Sequence, residues 1–291
     1  MEHARDPAIY RGPLFLIQRS FQNDRIVGAK CSDSVVYSRT YFGVPCEDRD
    51  ELYLDLLNAF VNSTLSVYCV LLTSTSFGLD RQFTEQNDFN RLPFKAPTSA
   101  AEVQDLIGVV RRLEHANEVT DLSELDEAVF DFYNLPQWQR EYIPDTVRFD
   151  FDFVRHGSEG ISARQPDSDD LKAYAETMVR FLRGNLNGDD LKVNADIIDG
   201  LADVCAVVIR FDESRHRGVR VTVPPDEPEN GRLADLLHAR VSSGFQLRRS
   251  LVHFDDDRCI IIKLAQKRFW SRARAYDDAD TIFAELLRPG E

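Results

Sequence analysis

The chain has 291 residues and a formal net charge of −14 at pH 7, with 43% hydrophobic and 29% charged residues. This composition is ordinary for a soluble globular protein and excludes collagen, coiled-coil and intrinsically disordered chains. The length predicts about two domains. No stretch reaches the roughly 18 uninterrupted apolar residues of a membrane span, so we expect no membrane partner.

The cysteines and the amino terminus predict a cytoplasmic location. Five cysteines are scattered along the chain without a C-x-x-C pair. That usage is typical of a reduced compartment. The first residues, MEHARDP, carry no apolar segment of the secretory kind.

Residues 1–97 are predicted to form a domain of strands followed by one long helix. Short apolar or β-branched runs at Leu14–Ile17 and Ser34–Tyr37 lie between turn residues and predict two strands. Glu51–Leu72 has apolar residues at the helical period. Pro93 and Pro97 then indicate an extended link.

Residues 98–154 are predicted to form a helical connector. Ser99 with Glu102 three residues later fits a capping box at the start of a first helix. A second helix begins near Ser123, and Pro136 ends or kinks it. The pair predicts a helical hairpin, or an arm, between two modules.

Arg155–Asp170 is rich in glycine, serine and charge and marks the predicted boundary of a C-terminal module, residues 165–291. The helices predicted there are Leu171–Leu182, Leu233–Val241 and Asp277–Leu287, and the strands are Val204–Phe211, Val219–Val223, Leu247–Phe254 and Cys259–Leu264. The last two strands form a hairpin. The predicted fold class is therefore α+β: a mixed N-terminal domain, a helical connector and a C-terminal α/β module containing a β-hairpin.

Several common catalytic motifs are missing from the sequence. It contains neither G-x-x-x-x-G-K-[ST], G-x-G-x-x-G nor G-x-S-x-G, and its six histidines lack the spacing of metal ligands. We therefore predict no metal site. Asp255–Asp257, followed by a strand with Lys263, is similar to the acid-plus-lysine strand of a nuclease. An acidic hairpin tip is also ordinary turn chemistry, and a metal-dependent nuclease remains an alternative.

Ordered short motifs in the first half carry a family resemblance. They are Val35–Gly43 (VVYSRTYFG), Leu56–Asn58 (LLN), Asn62–Leu65 (NSTL), Leu71–Gly78 (LLTSTSFG), Phe89–Phe94 (FNRLPF) and Leu125–Leu135 (LDEAVFDFYNL). Their order resembles the region downstream of the catalytic domain in N6-adenine DNA methyltransferases of restriction-modification and phage-defence type. Asn134 stands where that family usually has glycine, and asparagine also tolerates the left-handed conformation of a helix end.

The catalytic half of such methyltransferases has no counterpart here. The sequence contains no F-x-G-x-G loop, and its only Pro-Pro pair, Pro224–Pro225, lacks the N-P-P-Y/F context. The resemblance thus implies a target-recognition part of a split or truncated enzyme, with residues 1–97 as the recognition-like domain and no catalytic residue. It implies two partners, double-stranded DNA and a methyltransferase catalytic subunit. S-adenosylmethionine is expected only on that subunit, and this chain is expected to hold no cofactor.

Two sets of side chains are candidates for DNA contact, because phosphates need cations and base edges need hydroxyls and arginine. The first set lies at element ends: Ser38, Arg39, Tyr41, Thr73, Ser74, Ser76 and Arg81. The second combines cations with aromatic stacking: Arg248, Arg249, Lys263, Lys267, Arg268, Trp270, Arg272 and Arg274. Both sets also fit ordinary roles, the first as caps or surface residues and the second as a charged edge that prevents aggregation.

The middle of the chain is strongly acidic, with 22 acidic and 10 basic residues between positions 99 and 200. This charge fits a solvated helical face. It also fits a docking surface for a basic partner, where charge complementarity speeds assembly. The third functional alternative is accordingly a protein-only adaptor that never contacts DNA.

Overall fold

The structure, a computed structural model, describes residues 6–47, 51–74, 83–116, 121–186, 193–201, 203–211, 219–222, 250–255 and 258–287. The fold class is α+β, as the sequence predicts. The chain divides into two compact units, Met1–Arg155 and His156–Glu291. We call them the N-terminal and C-terminal units.

A three-stranded antiparallel sheet begins the N-terminal unit. Its strands are β1 (Leu14–Gln18), β2 (Gly28–Cys31) and β3 (Tyr41–Pro45), in the order β2-β1-β3. The strand predicted at Leu14–Ile17 is confirmed. The strand predicted at Ser34–Tyr37 is wrong, because these residues belong to no ladder of the described strands, and the Val35 N–H donates to the carbonyl of Tyr10 instead.

The single helix predicted at Glu51–Leu72 is two helices, α1 (Glu51–Val61) and α2 (Thr64–Thr73), bent by 72°. Buried hydroxyls occupy the break. Ser63 Oγ donates to the carbonyl of Phe60, and Ser66 Oγ donates to the carbonyls of Val61 and Ser63. These bonds satisfy carbonyls that a continuous helix would bond through backbone N–H groups. A short helix, α3 (Gln86–Asn90), follows.

The residues predicted as a connector pack into the N-terminal unit itself. They form α4 (Gln104–Glu114), α5 (Ser123–Phe132), α6 (Gln137–Thr146), a π-helical stretch at Val147–Phe151 and α7 (Asp152–His156). Apolar side chains of α4 and α5 share one core with those of α1 and α2, among them Leu56, Phe60, Leu106 and Val129. The helices between residues 98 and 154 therefore complete this core.

Local helix signals in this region are partly confirmed. The Glu102 N–H donates to Ser99 Oγ at 3.3 Å, but the first turn, Ala101–Val103, is a 3₁₀ helix, so α4 begins at Gln104. The α5 helix begins at Ser123, as predicted. Asn134 has φ of 55°, a left-handed conformation that asparagine tolerates at a helix end.

No single helix among the described residues is long and apolar enough to cross a membrane. Among the described helices, only α1 and α2 taken together have the length and apolar composition of a membrane span, and they are bent by 72° at the break between them. Both helices contribute buried side chains to the core, including Leu54, Phe60 and Val67.

The described residues of the C-terminal unit form a mixed sheet of five strands, with two long helices packed against one of its faces. Its elements are α8 (Ser168–Asn185), β4 (Asn194–Leu201), β5 (Val204–Arg210), β6 (Val219–Thr222), β7 (Ser250–Asp255), β8 (Arg258–Leu264) and α9 (Arg272–Leu286). The strand order is β6-β4-β5-β8-β7, with only β4 and β6 parallel among the neighbouring pairs. The α8 and α9 helices pack against a buried cluster that includes Val207 and Ile261.

The hairpin predicted around Asp255 is confirmed as β7 and β8. The last helix begins earlier than predicted because Ser271 caps it, its Oγ accepting the N–H of Arg274. The helix predicted at Leu233–Val241 lies outside the described residues.

Candidate nucleic-acid interface

The predicted DNA-contacting residues fall into three groups. Four of them, Ser76, Arg81, Arg248 and Arg249, lie outside the described residues. Five belong to the N-terminal unit, and six belong to the C-terminal unit. Each unit forms its own hydrophobic core.

A tight turn presents three of the predicted residues at the start of β3. We call residues Ser38, Arg39, Thr40 and Tyr41 the 38–41 loop. Ser38 Oγ accepts the N–H of Thr40 at 3.3 Å, and the Ser38 carbonyl accepts the N–H of Tyr41 at 3.2 Å. All four residues are exposed. The loop therefore exposes a guanidinium, a phenol and two hydroxyls, and the hydroxyls of Ser38 and Thr40 hydrogen-bond each other at 2.5 Å.

Arg19, which the sequence analysis missed, contacts this loop through hydrogen bonds to its backbone carbonyls. Its guanidinium lies between the rings of Phe42 and Phe83, with its central carbon 5.1 and 4.9 Å from the two ring centres. The backbone N–H of Arg19 donates to the carbonyl of Thr40 at 2.9 Å, and a terminal guanidinium nitrogen lies 3.5 Å from the carbonyl oxygen of Arg39. Its Nε also donates to the carbonyl of Thr84. The planar guanidinium suits both stacking and donation, and lysine would not replace it.

The C-terminal end of α2 is linked to the start of β3 through helix α3 and the residue that follows it. Phe42 contacts Phe89 with ring centres 5.5 Å apart, and Arg91 donates to the carbonyl of Thr73 at 3.0 Å. Thr73 Oγ1 donates to the carbonyl of Cys69, and the Ser74 N–H donates to that of Val70. Both predicted residues thus have helix-ending bonds, as a capping role requires. We call the 38–41 loop together with Thr73, Ser74 and Arg91 the N-terminal candidate surface.

Two motif segments of the family resemblance meet at Asp126. Its Oδ1 accepts the N–H of Thr64 at 2.7 Å, and its Oδ2 accepts Thr64 Oγ1 at the same distance. Arg25 binds both carboxylate oxygens, at 2.9 and 2.6 Å. The junction joins the start of α2 to α5 and to the loop between β1 and β2.

Asn62, from the same motif, fixes β2 to α1. Its Oδ1 accepts the N–H of Gly28 at 3.1 Å, and its Nδ2 donates to the Gly28 carbonyl at 3.0 Å. A side chain at Gly28 would clash with the core, since a Cβ there would lie 2.3 Å from the Phe15 ring. The motif asparagine therefore supports the sheet and is not displayed for DNA contact.

Two residues of the C-terminal set need correction. Lys263 is 3% exposed, with its ammonium paired with Asp278 and donating to the carbonyl of Phe269. Trp270 is 1% exposed, and its Nε1 donates to the carbonyl of Leu264. A buried ammonium and a buried indole do not reach a phosphate or a base. We therefore remove both residues from the candidate DNA surface.

The same carboxylate explains why Lys263 is buried there. Asp278 also accepts the hydroxyl of Tyr174, whose ring is 5.0 Å from that of Trp270. Burial lowers the pKa of Lys263 and raises that of Tyr174 well above its usual value. The group stabilises the packing of α8 and α9 on β8.

Two of the four remaining C-terminal cations, Lys267 and Arg274, lie close to carboxylates. Lys267 Nζ is 2.9 Å from Asp167 and 2.6 Å from Asp170, and Arg274 is 2.9 Å from Asp277. Arg268 packs on the Phe269 ring and donates to Gln266, and Arg272 is exposed. The excess of basic residues along this segment is therefore partly neutralised in the fold, and the N-terminal candidate surface is the stronger of the two.

Of the acids in the nuclease alternative, the structure describes Asp255, and this residue lies far from Lys263. Asp255 lies opposite Arg258 in the hairpin, whereas Lys263 lies opposite Ser250, five positions away and about 17 Å along the strand. Within the described ranges no group of three or more histidine, cysteine, aspartate or glutamate side chains fits a metal ion. Asp256 and Asp257 lie outside those ranges.

The contact of Lys267 with Asp167 predicts a measurable pH effect. The Lys267 ammonium, with the N–H of Asp170, lowers the pKa of Asp167 to about 2. Because the folded-state pKa of Asp167 is below the unfolded value of about 3.9, this contact stabilises the fold above pH 4, and the stabilisation is lost as the pH falls toward 2.

Lys267→Ala should raise the pKa of Asp167 toward its usual value, as read from carboxyl-carbon NMR titration. Lys172→Ala, which removes an exposed lysine from α8, is the control. An unchanged Asp167 titration in Lys267→Ala would contradict the assignment.

Comparison of the chain with family models, with curated proteins and with solved structures found no match.

Proposed function

We propose that this protein recognises a DNA target sequence for an adenine-specific methyltransferase whose catalytic site lies on another polypeptide. In this role the chain binds duplex DNA, and the partner binds S-adenosylmethionine and transfers the methyl group. The proposal joins the motif resemblance of residues 35–135 to the chemistry of the N-terminal candidate surface.

The observation that carries the proposal is the preorganised 38–41 loop. Its backbone is fixed by internal bonds and by Arg19, while the side chains of Ser38, Arg39 and Tyr41 are exposed. Arginine donates two parallel hydrogen bonds to guanine O6 and N7, and hydroxyls bond base edges or phosphates. Fixing such groups before binding reduces the entropy lost on association.

The net charge of −14 is compatible with this role when the contacts are local. Exposed charges are screened over about 8 Å at physiological ionic strength, so acidic helices elsewhere weaken a local contact only moderately. Arg39 and Arg91 are the exposed guanidiniums of the N-terminal candidate surface. We therefore expect weak binding to random duplexes and a dependence on a few specific contacts.

Duplex binding by the full chain tests the proposal. We expect fluorescence anisotropy to show binding at low salt, with affinity falling linearly on a logarithmic salt scale as counterions are released. Arg39→Ala should weaken binding about tenfold and reduce the salt slope by about 1. Arg112→Ala is the matched control, because Arg112 is exposed on α4 and pairs with Glu124.

Two results would contradict the proposal. One is the absence of duplex binding by the folded chain at low salt. The other is an equal loss of duplex affinity in Arg39→Ala and Arg112→Ala, which would show that Arg39 contributes only its charge and no specific contact. Turnover of DNA by the chain alone would instead favour the nuclease alternative.

A further inference from the structure

A cleft of about 580 Å³ opens along β2, at the opposite edge of the sheet from β3. Val27 and the β2 residues Gly28, Ala29 and Lys30 line one side, and helices α4 and α5 line the other with Val110, Leu113 and Leu125. Asn58 and Glu114 provide polar groups, with Asn58 Nδ2 donating to Glu114 Oε1 at 2.8 Å. The cleft thus combines a strand edge, an apolar wall and a carboxylate.

The register of the sheet decides which backbone groups face the cleft. Gln18 donates its N–H to Val27 at 2.8 Å, and Leu16 pairs with Ala29 in the same antiparallel ladder. Because hydrogen-bonded pairs alternate in such a ladder, the N–H and C=O of Gly28 and Lys30 point away from β1. Lys30 therefore presents a donor and an acceptor toward the cleft.

Asn62 already shows how this edge binds an amide. Its side chain makes both hydrogen bonds to Gly28 that a neighbouring strand residue would make. At Lys30, two positions along the same edge, no residue of the described ranges makes the equivalent pair. An extended chain placed there would continue the edge that Asn62 begins.

Charge at this edge favours a basic occupant. Lys30 is paired with the buried Asp55 and lies 3.9 Å from Glu51, and Arg111 lies 3.4 Å from Asp55. The edge therefore carries one excess negative charge. Its three carboxylates are those of Glu51, Asp55 and Glu114, and its two cations are Lys30 and Arg111. The Glu51 side chain is 71% exposed, and Glu114 is also exposed.

We propose that the cleft docks an extended, basic segment of another polypeptide by strand addition to β2. The main chain of the segment pairs with Lys30, an apolar side chain enters beside Leu113 and Leu125, and a lysine or arginine pairs with Glu114. Alternate side chains of an extended chain point to opposite sides, so such a segment alternates basic and apolar residues. Within the proposed function the segment belongs to the methyltransferase catalytic subunit. That identification of the source rests on the proposed function, whereas the docking chemistry does not.

Amide exchange of Lys30 in the full chain tests the docking. The probe is a pool of acetylated pentapeptides KXKXK, where X is Val, Leu, Ile or Phe, and exchange is followed residue by residue by NMR. Binding should slow exchange of the Lys30 amide at least tenfold and leave the Ala29 amide, already bonded within the sheet, unchanged. The pool EXEXE should give no protection.

A charge reversal provides the second readout. Glu114→Lys should weaken binding of KXKXK about tenfold, whereas Asp105→Lys, an exposed change on the same helix, should have little effect. Unchanged Lys30 exchange at saturating KXKXK would overturn the proposal, as would protection of Lys30 by adenosine or guanosine in place of the peptides. Loss of docking with duplex binding intact would overturn only this inference. Loss of duplex binding with docking intact would overturn only the proposed function.

Discussion

Replacing Asp126 with alanine is expected to lower the free energy of unfolding of the N-terminal unit by about 3 kcal/mol. Asp126 is 8% exposed and accepts hydrogen bonds from the Thr64 N–H, from Thr64 Oγ1 and from both terminal nitrogens of Arg25. Its removal leaves a buried N–H and a buried hydroxyl without this acceptor and takes away the carboxylate that Arg25 binds. The start of α2 then loses its attachment to α5.

Denaturant-dependent hydrogen exchange of peptides from α1, α2 and α5 measures this effect in the full chain. Thr64→Val removes only the hydroxyl and should cost about 1 kcal/mol, the usual value of one hydrogen bond. Asp126→Asn keeps the shape and one acceptor oxygen, and we expect an intermediate loss. A change below 0.5 kcal/mol in Asp126→Ala, a bound taken from ordinary surface substitutions, would show that the junction does not support the unit.

Replacing Asp278 with alanine should destabilise the C-terminal unit by about 4 kcal/mol, because it leaves the buried ammonium of Lys263 without its carboxylate. Lys263 is 3% exposed, and Tyr174 loses the acceptor of its hydroxyl in the same variant. Lys263→Met is the matched control. It removes the buried charge and keeps a side chain of similar length, and the remaining Asp278 side chain is 15% exposed. We expect Lys263→Met to cost less than half as much.

The two tryptophans make this measurement specific to one unit. Trp138 lies on α6 and is 47% exposed, whereas Trp270 is buried in the C-terminal unit. In a Trp138→Phe background, fluorescence during urea unfolding reports only Trp270. If Asp278→Ala and Lys263→Met cost the same, the penalty does not come from an unpaired buried charge.

Elements with local signals were predictable from the sequence. The start of α5 at Ser123 follows from the helical spacing of apolar residues, and the β7–β8 hairpin follows from two apolar runs joined by turn residues, signals that act within a few residues. The break between α1 and α2 was not predictable in this way. Its stability depends on Asp126, 62 residues beyond Thr64, and on buried serine hydroxyls that a periodicity count treats as neutral.

The candidate site was predictable only in part, for a similar reason. The 38–41 loop carries its own polar residues, so composition pointed to it. Arg19 escaped notice because its partners Phe42 and Phe83 are far away in sequence and form no local pattern with it. Lys263 and Trp270 fitted the pattern of a binding surface in the sequence. In the fold they are buried, because Lys263 pairs with Asp278 and Trp270 packs on Tyr174.

Selection of preferred duplexes from a randomised pool tests the central claim most directly. The full chain is incubated with the pool near physiological salt, and bound duplexes are amplified and sequenced over successive rounds. The account predicts a short enriched sequence whose enrichment disappears in Arg39→Ala and persists in Arg112→Ala. A folded chain that enriches no sequence, while its Arg39 and Arg112 variants behave alike, would contradict it.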